Sequence, residues 1–212
     1  MTSAIVLCGG RSTRMGRDKA SLPFGEKTLL DRVVRLVGDS VEEVVIVGRP
    51  GQFVGGGSPF LGSPVPVSVV CDPTEGLGPL AAIVTGLQAI TGDRAFVTAC
   101  DMPLLRPAMV RRLLELLGDH EVCVPVLDHQ VMPLCAVYRT SVVDEAERLL
   151  AEGKRSVMGL IDRVNAKRVD AASLRDIDPD LLSCFSCDTP EAYQRALQMG
   201  ALKRYRPPWK VL

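Results

Sequence analysis

Residues 5–30, IVLCGGRSTRMGRDKASLPFGEKTLL, bring an apolar run to a halt at Gly9-Gly10 and then supply Arg11, Arg14, Arg17 and Lys19 against a single acid, Asp18. That combination suits anion binding. Glycines let backbone N–H groups approach phosphate oxygens with no Cβ in the way. Arg14 offers a planar fork for two oxygens, and Lys19 a compact point charge. Further along, two apolar runs close on an aspartate, Cys71-Asp72 and Cys100-Asp101. Mg2+ takes one or two carboxylates together with phosphate oxygens and water, a role open to Asp101. Glycines, cations and carboxylates together outline a site for a triphosphate and magnesium. Transfer at phosphorus needs in-line positioning and cancellation of developing charge more than covalent help.

Two better-known phosphate motifs are missing. Lys19 stands three residues after Gly16 and precedes Ala20, so GxxxxGK[ST] is not met, and neither is GxGxxG. Taken alone, the segment reads equally as a polar surface loop with solvated arginines. Asp72 and Asp101 also have an alternative reading as turn or helix-cap residues.

These residues need a frame that brings distant segments together, and the rest of the chain supplies one. Apolar, β-branched runs at 4–8, 44–48, 67–72, 94–101, 121–126 and 133–139 read as strands. Amphipathic stretches at 29–39, 78–90, 107–119, 141–153 and 188–200 read as helices. Pro107 opens one of them and Gly118 closes it. The last opens on Asp188-x-x-Glu191, a helix-start signal. Residues 49–66 are dense in Gly and Pro and read as an exposed loop. Strands apolar throughout and separated by helices predict an α/β fold, with a mostly parallel sheet covered on both faces in three layers. In such sheets ligands lie outside the carboxyl ends of the strands, which is where Gly9-Gly10, Asp72 and Asp101 fall.

Composition narrows the function classes. The chain has 212 residues, 47% hydrophobic and 24% charged, with zero net charge. That predicts one domain over residues 1–200 with a basic, Pro- and Trp-containing tail at 201–212, and argues against nucleic acid as a partner. The tail reads either as packed on its own domain or a neighbouring subunit, or as functional. No apolar run is long enough for a membrane span, and the first residues lack a signal-peptide pattern. Seven scattered cysteines fit buried, reduced thiols in a cytoplasmic protein. Cys184 and Cys187 have CxxC spacing, open to zinc or redox chemistry, but without a second pair. His120 and His129 read as surface residues.

The pattern as a whole is more specific than its parts. LCGGRSTRMGRDKASLPFGEKTLLDRV closely resembles the signature of the molybdenum cofactor nucleotidyltransferases, Leu-x-Gly-Gly-x-Ser-x-Arg-Met-Gly-x-Asp-Lys. CDPTEGLGPLAAIVTGL is similar to their Asp-then-Gly-Pro-Leu-Ala segment, and FVTACDMPLL to their Cys-Asp-x-Pro segment. Order and spacing agree over about residues 4–110, and thin afterwards to PLCAVYR, GKRSVMGLID and DTPEAY. The resemblance implies a Rossmann-like sheet of the glycosyltransferase-A type. It implies a guanylyltransferase that joins GMP from GTP to the terminal phosphate of molybdopterin and releases pyrophosphate, with Mg2+ as cofactor. Molybdopterin-supplying proteins or molybdoenzymes would be its protein partners. On this resemblance Leu7, Cys8, Gly9 and Gly10 hold the nucleotide through the backbone, with Pro79 and Leu80 also at the nucleotide. Lys19 binds phosphate, Asp72 touches the nucleotide, Asp101 holds Mg2+, and Arg14 stabilises the leaving pyrophosphate.

Gly9-Gly10 and Pro79-Leu80-Ala81 side with the GTP-using relatives. Cys8 and Ala82 stand where those relatives usually have Ala and Gly, and Val47 and Gly48 end their strand where relatives often offer an Asn. On the acceptor side Met132 stands where relatives often have His, and Asp188 where Asn is common. A cytidylyl- or other nucleotidyltransferase acting on molybdopterin or on a sugar or polyol phosphate, and a nucleotide-binding domain without catalysis, are the alternative readings.

Overall fold

The computed structural model describes residues 1–9, 18–52, 63–72 and 77–202. Its elements in chain order begin with β1 (Thr2–Leu7), a hairpin of β2 (Pro23–Phe24) and β3 (Lys27–Thr28), and α1 (Leu29–Gly38). There follow β4 (Glu43–Gly48), β5 (Val67–Cys71), α2 (Pro79–Ala89), β6 (Arg94–Ala99) and α3 (Pro107–Leu116). Then come β7 (Val122–Leu127), β8 (Gln130–Val131), β9 (Cys135–Arg139), α4 (Val143–Ala151), α5 (Val157–Ile161), β10 (Ala166–Asp170) and α6 (Pro190–Leu202).

The main sheet runs β10-β7-β9-β6-β1-β4-β5, with β8 paired to β7. Pairing is parallel except at β9, which is antiparallel to both β6 and β7, and at the short β7–β8 hairpin. The expected mostly parallel sheet is therefore present, with one reversed strand inserted. Period-two alternation decides which face each side chain serves. Ala4 and Val6 of β1, Val44 and Ile46 of β4, and Phe96 of β6 pack with α1 and α3. Their neighbours Ile5, Leu7, Val45, Val47, Ala95 and Val97 pack with α2, α4 and α5 on the opposite face. Strands apolar at every position are what two covered faces require.

The edges depart from that rule. β5 is half open, with Val69 40% exposed, and Cys71 is exposed rather than buried as its apolar neighbourhood predicts. β10, AKRVD, carries no continuous apolar run because only one neighbour and one face are covered, and the periodicity missed it. The short α5 escaped for want of length. Residues 141–153 begin as a turn of 310-helix at Thr140–Val142 before α4 proper. His129 is exposed, but His120 is half-buried, its Nδ1 lying 3.2 Å from the Leu117 carbonyl oxygen.

Two local devices place the site. Thr28 and Asp31 form a reciprocal capping box at the start of α1, fixing where the 18–28 segment meets the helix. In α2, Gly86 faces β1 so closely that a Cβ there would lie 2.6 Å from Ile5 Cγ2. That contact holds α2 flat against the strand ending in Leu7. Gly86→Val is expected to destabilise the fold by roughly 1–3 kcal/mol through overpacking, read as a lowered urea midpoint at unchanged slope.

Candidate active site

The carboxyl ends of four adjacent strands form one rim. Cys100 N–H donates to the Leu7 carbonyl at 3.0 Å, Cys8 N–H to Val47 at 2.8 Å, and Asp72 N–H to Gly48 at 2.8 Å. These bonds continue the sheet just past its strands and put Asp101, Gly9, Gly48 and Asp72 side by side in sheet order. Asp101 and Asp72 are then three strand spacings apart, about 14 Å along the rim. One metal ion cannot bridge them, so the paired aspartates of the sequence divide into two separate positions.

Lys19 reaches one of these positions. Asp18 Oδ1 accepts from Ala20 N–H at 3.1 Å, capping a turn of 310-helix over Lys19–Ser21. From that turn Lys19 Nζ donates to Asp101 Oδ2 at 2.7 Å and to Asp188 Oδ1 at 2.9 Å. Burial alone would lower the lysine, but the hydrogen bonds to Asp101 and Asp188 outweigh it and hold the ammonium above its ordinary range. Asp101 sits higher than an ordinary carboxyl because burial outweighs the help of Lys19, with the nearby Asp188 charge adding to the rise. Asp188 is held low, by the Ser186 hydroxyl at 2.6 Å and by Lys19.

In the sequence Asp188 was legible as a helix-start residue and as a position where relatives often have Asn, and neither reading paired it with Lys19. The structure gives the helix-start task to Thr189, whose Oγ1 accepts from Ala192 N–H at 3.2 Å, with Pro190 as the first helical residue. Asp188 is thereby released toward Lys19. Packing brings it there: Tyr193 and Ala196 of α6 bury against Phe24, Leu29 and Leu104, Tyr193 Oη donates to the Pro23 carbonyl, and Cys187 N–H donates to the Asp101 carbonyl at 2.9 Å. A contact between positions 19 and 188 has no signature in local pattern, and only the family segment DTPEAY pointed near it.

The other expected residues are placed as follows. The Leu7 and Cys8 side chains are buried, so only their backbone can face a ligand, while Gly9 is exposed at the rim. Pro79 opens α2 behind Gly78, whose φ of +83° suits glycine, and Leu80 is fully buried, leaving its N–H as the group a ligand could meet. Gly10 and Arg14, with Arg11 and Arg17, lie outside the described residues, as do 53–62 of the Gly/Pro loop and 203–212 of the tail.

Several of the thiols are buried and held protonated, while the bond to Cys135 draws Cys184 down. Cys8 and Cys100 lie side by side, and the hydrogen bond between them, followed by burial, pushes Cys8 well up. Burial pushes Cys187 up to about 12. Cys184 bonds to Cys135 rather than serving a CxxC site. Among the described residues no cluster of three metal-ligating side chains occurs. Two carboxylates on one cation are nonetheless present, and Mg2+ asks for no more from protein when phosphate supplies the remaining oxygens.

A lysine held between two carboxylates thus lies at the carboxyl end of the sheet, beside a strand closing on Gly9. Residues 4–169 match the MobA-like NTP transferase domain. The chain belongs to that family. A curated relative from Mycobacterium bovis (strain BCG / Pasteur 1173P2), named probable molybdenum cofactor guanylyltransferase, is 38% identical over 82% of this chain and 86% of its own. One of the same name from Carboxydothermus hydrogenoformans is 29% identical over 93% and 96%. Among solved structures, molybdopterin-guanine dinucleotide biosynthesis protein A from Archaeoglobus fulgidus superposes with a TM-score of 0.79 at 26% identity, covering 95% of this chain and all of that one. Among the described residues no helix of this MobA-like chain is long and apolar enough to cross a membrane.

Proposed function

We infer that this chain is a molybdenum cofactor guanylyltransferase, transferring GMP from GTP to the terminal phosphate of molybdopterin and releasing pyrophosphate. The observation that carries the reading is the meeting of Lys19 and Asp101 at 2.7 Å, because it joins the two family segments at one point of the rim. A phosphate oxygen of molybdopterin attacks the α-phosphorus of GTP. The new P–O bond forms as the bond to the β-phosphate bridging oxygen breaks, and that electron pair departs with pyrophosphate. The attacking phosphate is already ionised at neutral pH, so the protein supplies no general base.

Each residue then has a role. Leu7, Cys8, Gly9 and Gly10 hold the nucleotide through backbone groups, with the N-terminus of α2 at Pro79-Leu80 beside it. Asp72 touches the nucleotide at the far end of the rim. Lys19 holds a phosphate, and Arg14 stabilises the departing pyrophosphate. Asp101, with Asp188 next to it, is the place for Mg2+. The ion, when bound, supplies charge against the triphosphate. Residues 1–200 act as one nucleotidyltransferase domain. Seven free thiols fit residence in the reducing cytoplasm.

The deciding measurement is calorimetric titration with GTP and CTP, each with and without Mg2+. GTP with Mg2+ is expected to bind at least about tenfold tighter than CTP, a difference of roughly 1.4 kcal/mol. Equal affinities, or a preference for CTP, would overturn the guanine assignment.

A further inference from the structure

One amide holds together both ends of the glycine–arginine segment. Gln52 lies just beyond β4. Its Nε2 donates to the Cys8 carbonyl at 3.3 Å and to Asp18 Oδ2 at 2.9 Å, while its Oε1 accepts from Arg49 N–H at 3.0 Å. Both amide hydrogens and the carbonyl are therefore in use. Cys8 lies just before the segment and Asp18 at its end, so the two partners of Nε2 lie on either side of it in the chain. Gln52 N–H closes a turn on the Arg49 carbonyl at 3.2 Å, directly after β4, which is itself buried and joined to Cys8 N–H through Val47 and to the Asp72 turn through Gly48. Arg49 adds a cation to the Asp18 carboxylate, its terminal nitrogen 3.4 Å from Oδ2. Asp18 Oδ1 in turn caps the short turn that carries Lys19. Gln52 thus connects to Lys19 through Asp18 without touching the Asp101 end of the site.

We propose that Gln52 is a positioning residue for nucleotide binding, fixing the separation and orientation of the two ends of the phosphate segment through paired hydrogen bonds to the Cys8 carbonyl and the Asp18 carboxylate. An amide is required because both partners are acceptors. A carboxylate of the same shape faces an oxygen on each side, whereas an apolar residue merely leaves them to water. The inference rests on reading this segment as the triphosphate site.

The test compares wild type with Gln52→Glu and Gln52→Asn, measuring GTP affinity by calorimetry and pyrophosphate release in steady state. Gln52→Glu should raise the dissociation constant and KM for GTP by about tenfold or more, with kcat changed by less than about threefold, since the loss falls on ground-state and transition-state binding alike. Part of that loss should return as pH falls, because a protonated carboxyl regains one donor. Gln52→Asn, with the amide kept but withdrawn by one methylene, should fall between. The side chain is only half-buried, so the fold should survive, and melting curves verify this. Should Gln52→Glu not fold, Gln52→Asn carries the test alone. Folded variants whose GTP affinity and KM stay within about twofold of wild type would overturn the positioning role while leaving the guanylyltransferase reading intact. If wild type prefers another nucleoside triphosphate, the same comparison made with that nucleotide tests Gln52 independently. A wild type that binds none overturns both.

Discussion

Lys19→Ala should lower kcat/KM for guanylyl transfer by about 1,000-fold, and should also weaken the metal-free protein. The kinetic loss follows from removing a preorganised cation where negative charge builds up on phosphate oxygens. The second loss follows from what the ammonium does before any ligand arrives. Lys19 is the shared partner of Asp101 and Asp188, at 2.7 and 2.9 Å, and Asp101 is largely buried. Without the lysine two carboxylates are left beside each other, one of them largely shielded from water. A destabilisation of about 1–3 kcal/mol is expected, because a partly buried charge loses its hydrogen-bonded partner. Adding Mg2+ should recover more stability in this variant than in wild type. Wild-type turnover in a folded Lys19→Ala protein would show that the site lies elsewhere.

Asp101→Asn should behave differently in an informative way. Turnover is expected to fall by about 100- to 10,000-fold, with the Mg2+ concentration needed for half-maximal rate pushed upward. The substitution keeps shape and one acceptor but removes the charge that a divalent ion requires. Stability of the metal-free protein should hold or rise. Asp101 is held above the ordinary carboxylate range because its burial costs more than Lys19 returns. Its ionised form therefore works against folding at neutral pH, and a neutral amide relieves that opposition. Lys19 meanwhile keeps Asp188 as a partner, so no buried cation is stranded. Thermal melting and metal titration of the two variants separate these effects: Lys19→Ala loses both activity and stability, Asp101→Asn activity alone. A fall in melting temperature of Asp101→Asn comparable to that of Lys19→Ala would contradict the electrostatic account.

How legible the molecule was in advance depended on whether each feature was local or shared. β1, β4 and β6 are apolar at successive positions because both faces of each are covered, so their composition reports their burial directly. α3 carries its own boundaries in Pro107 and in Gly118, whose φ is +51°. β10 has one neighbour and a wet face, so its AKRVD sequence carries no comparable signal. β9 is as apolar as a parallel strand, and nothing in its residues records that it runs the other way.

The sequence by itself determined the chemistry on offer: a glycine turn after a buried strand, cations close behind it, and aspartates at the ends of two later strands, in the order that marks a MobA-like nucleotidyltransferase. These are properties of residue type and spacing, which a linear pattern records completely. The tertiary structure alone decided how they pair. Sheet order set Asp72 three strands away from Asp101, α6 turned Asp188 from a supposed helix cap into a partner of Lys19, and Gln52 came to join Cys8 to Asp18. The physical reason is that charge and hydrogen-bond energies depend on distance through space. Contacts across 34, 82 or 169 positions of chain are fixed by the packing of strands and helices around them, which no single segment encodes.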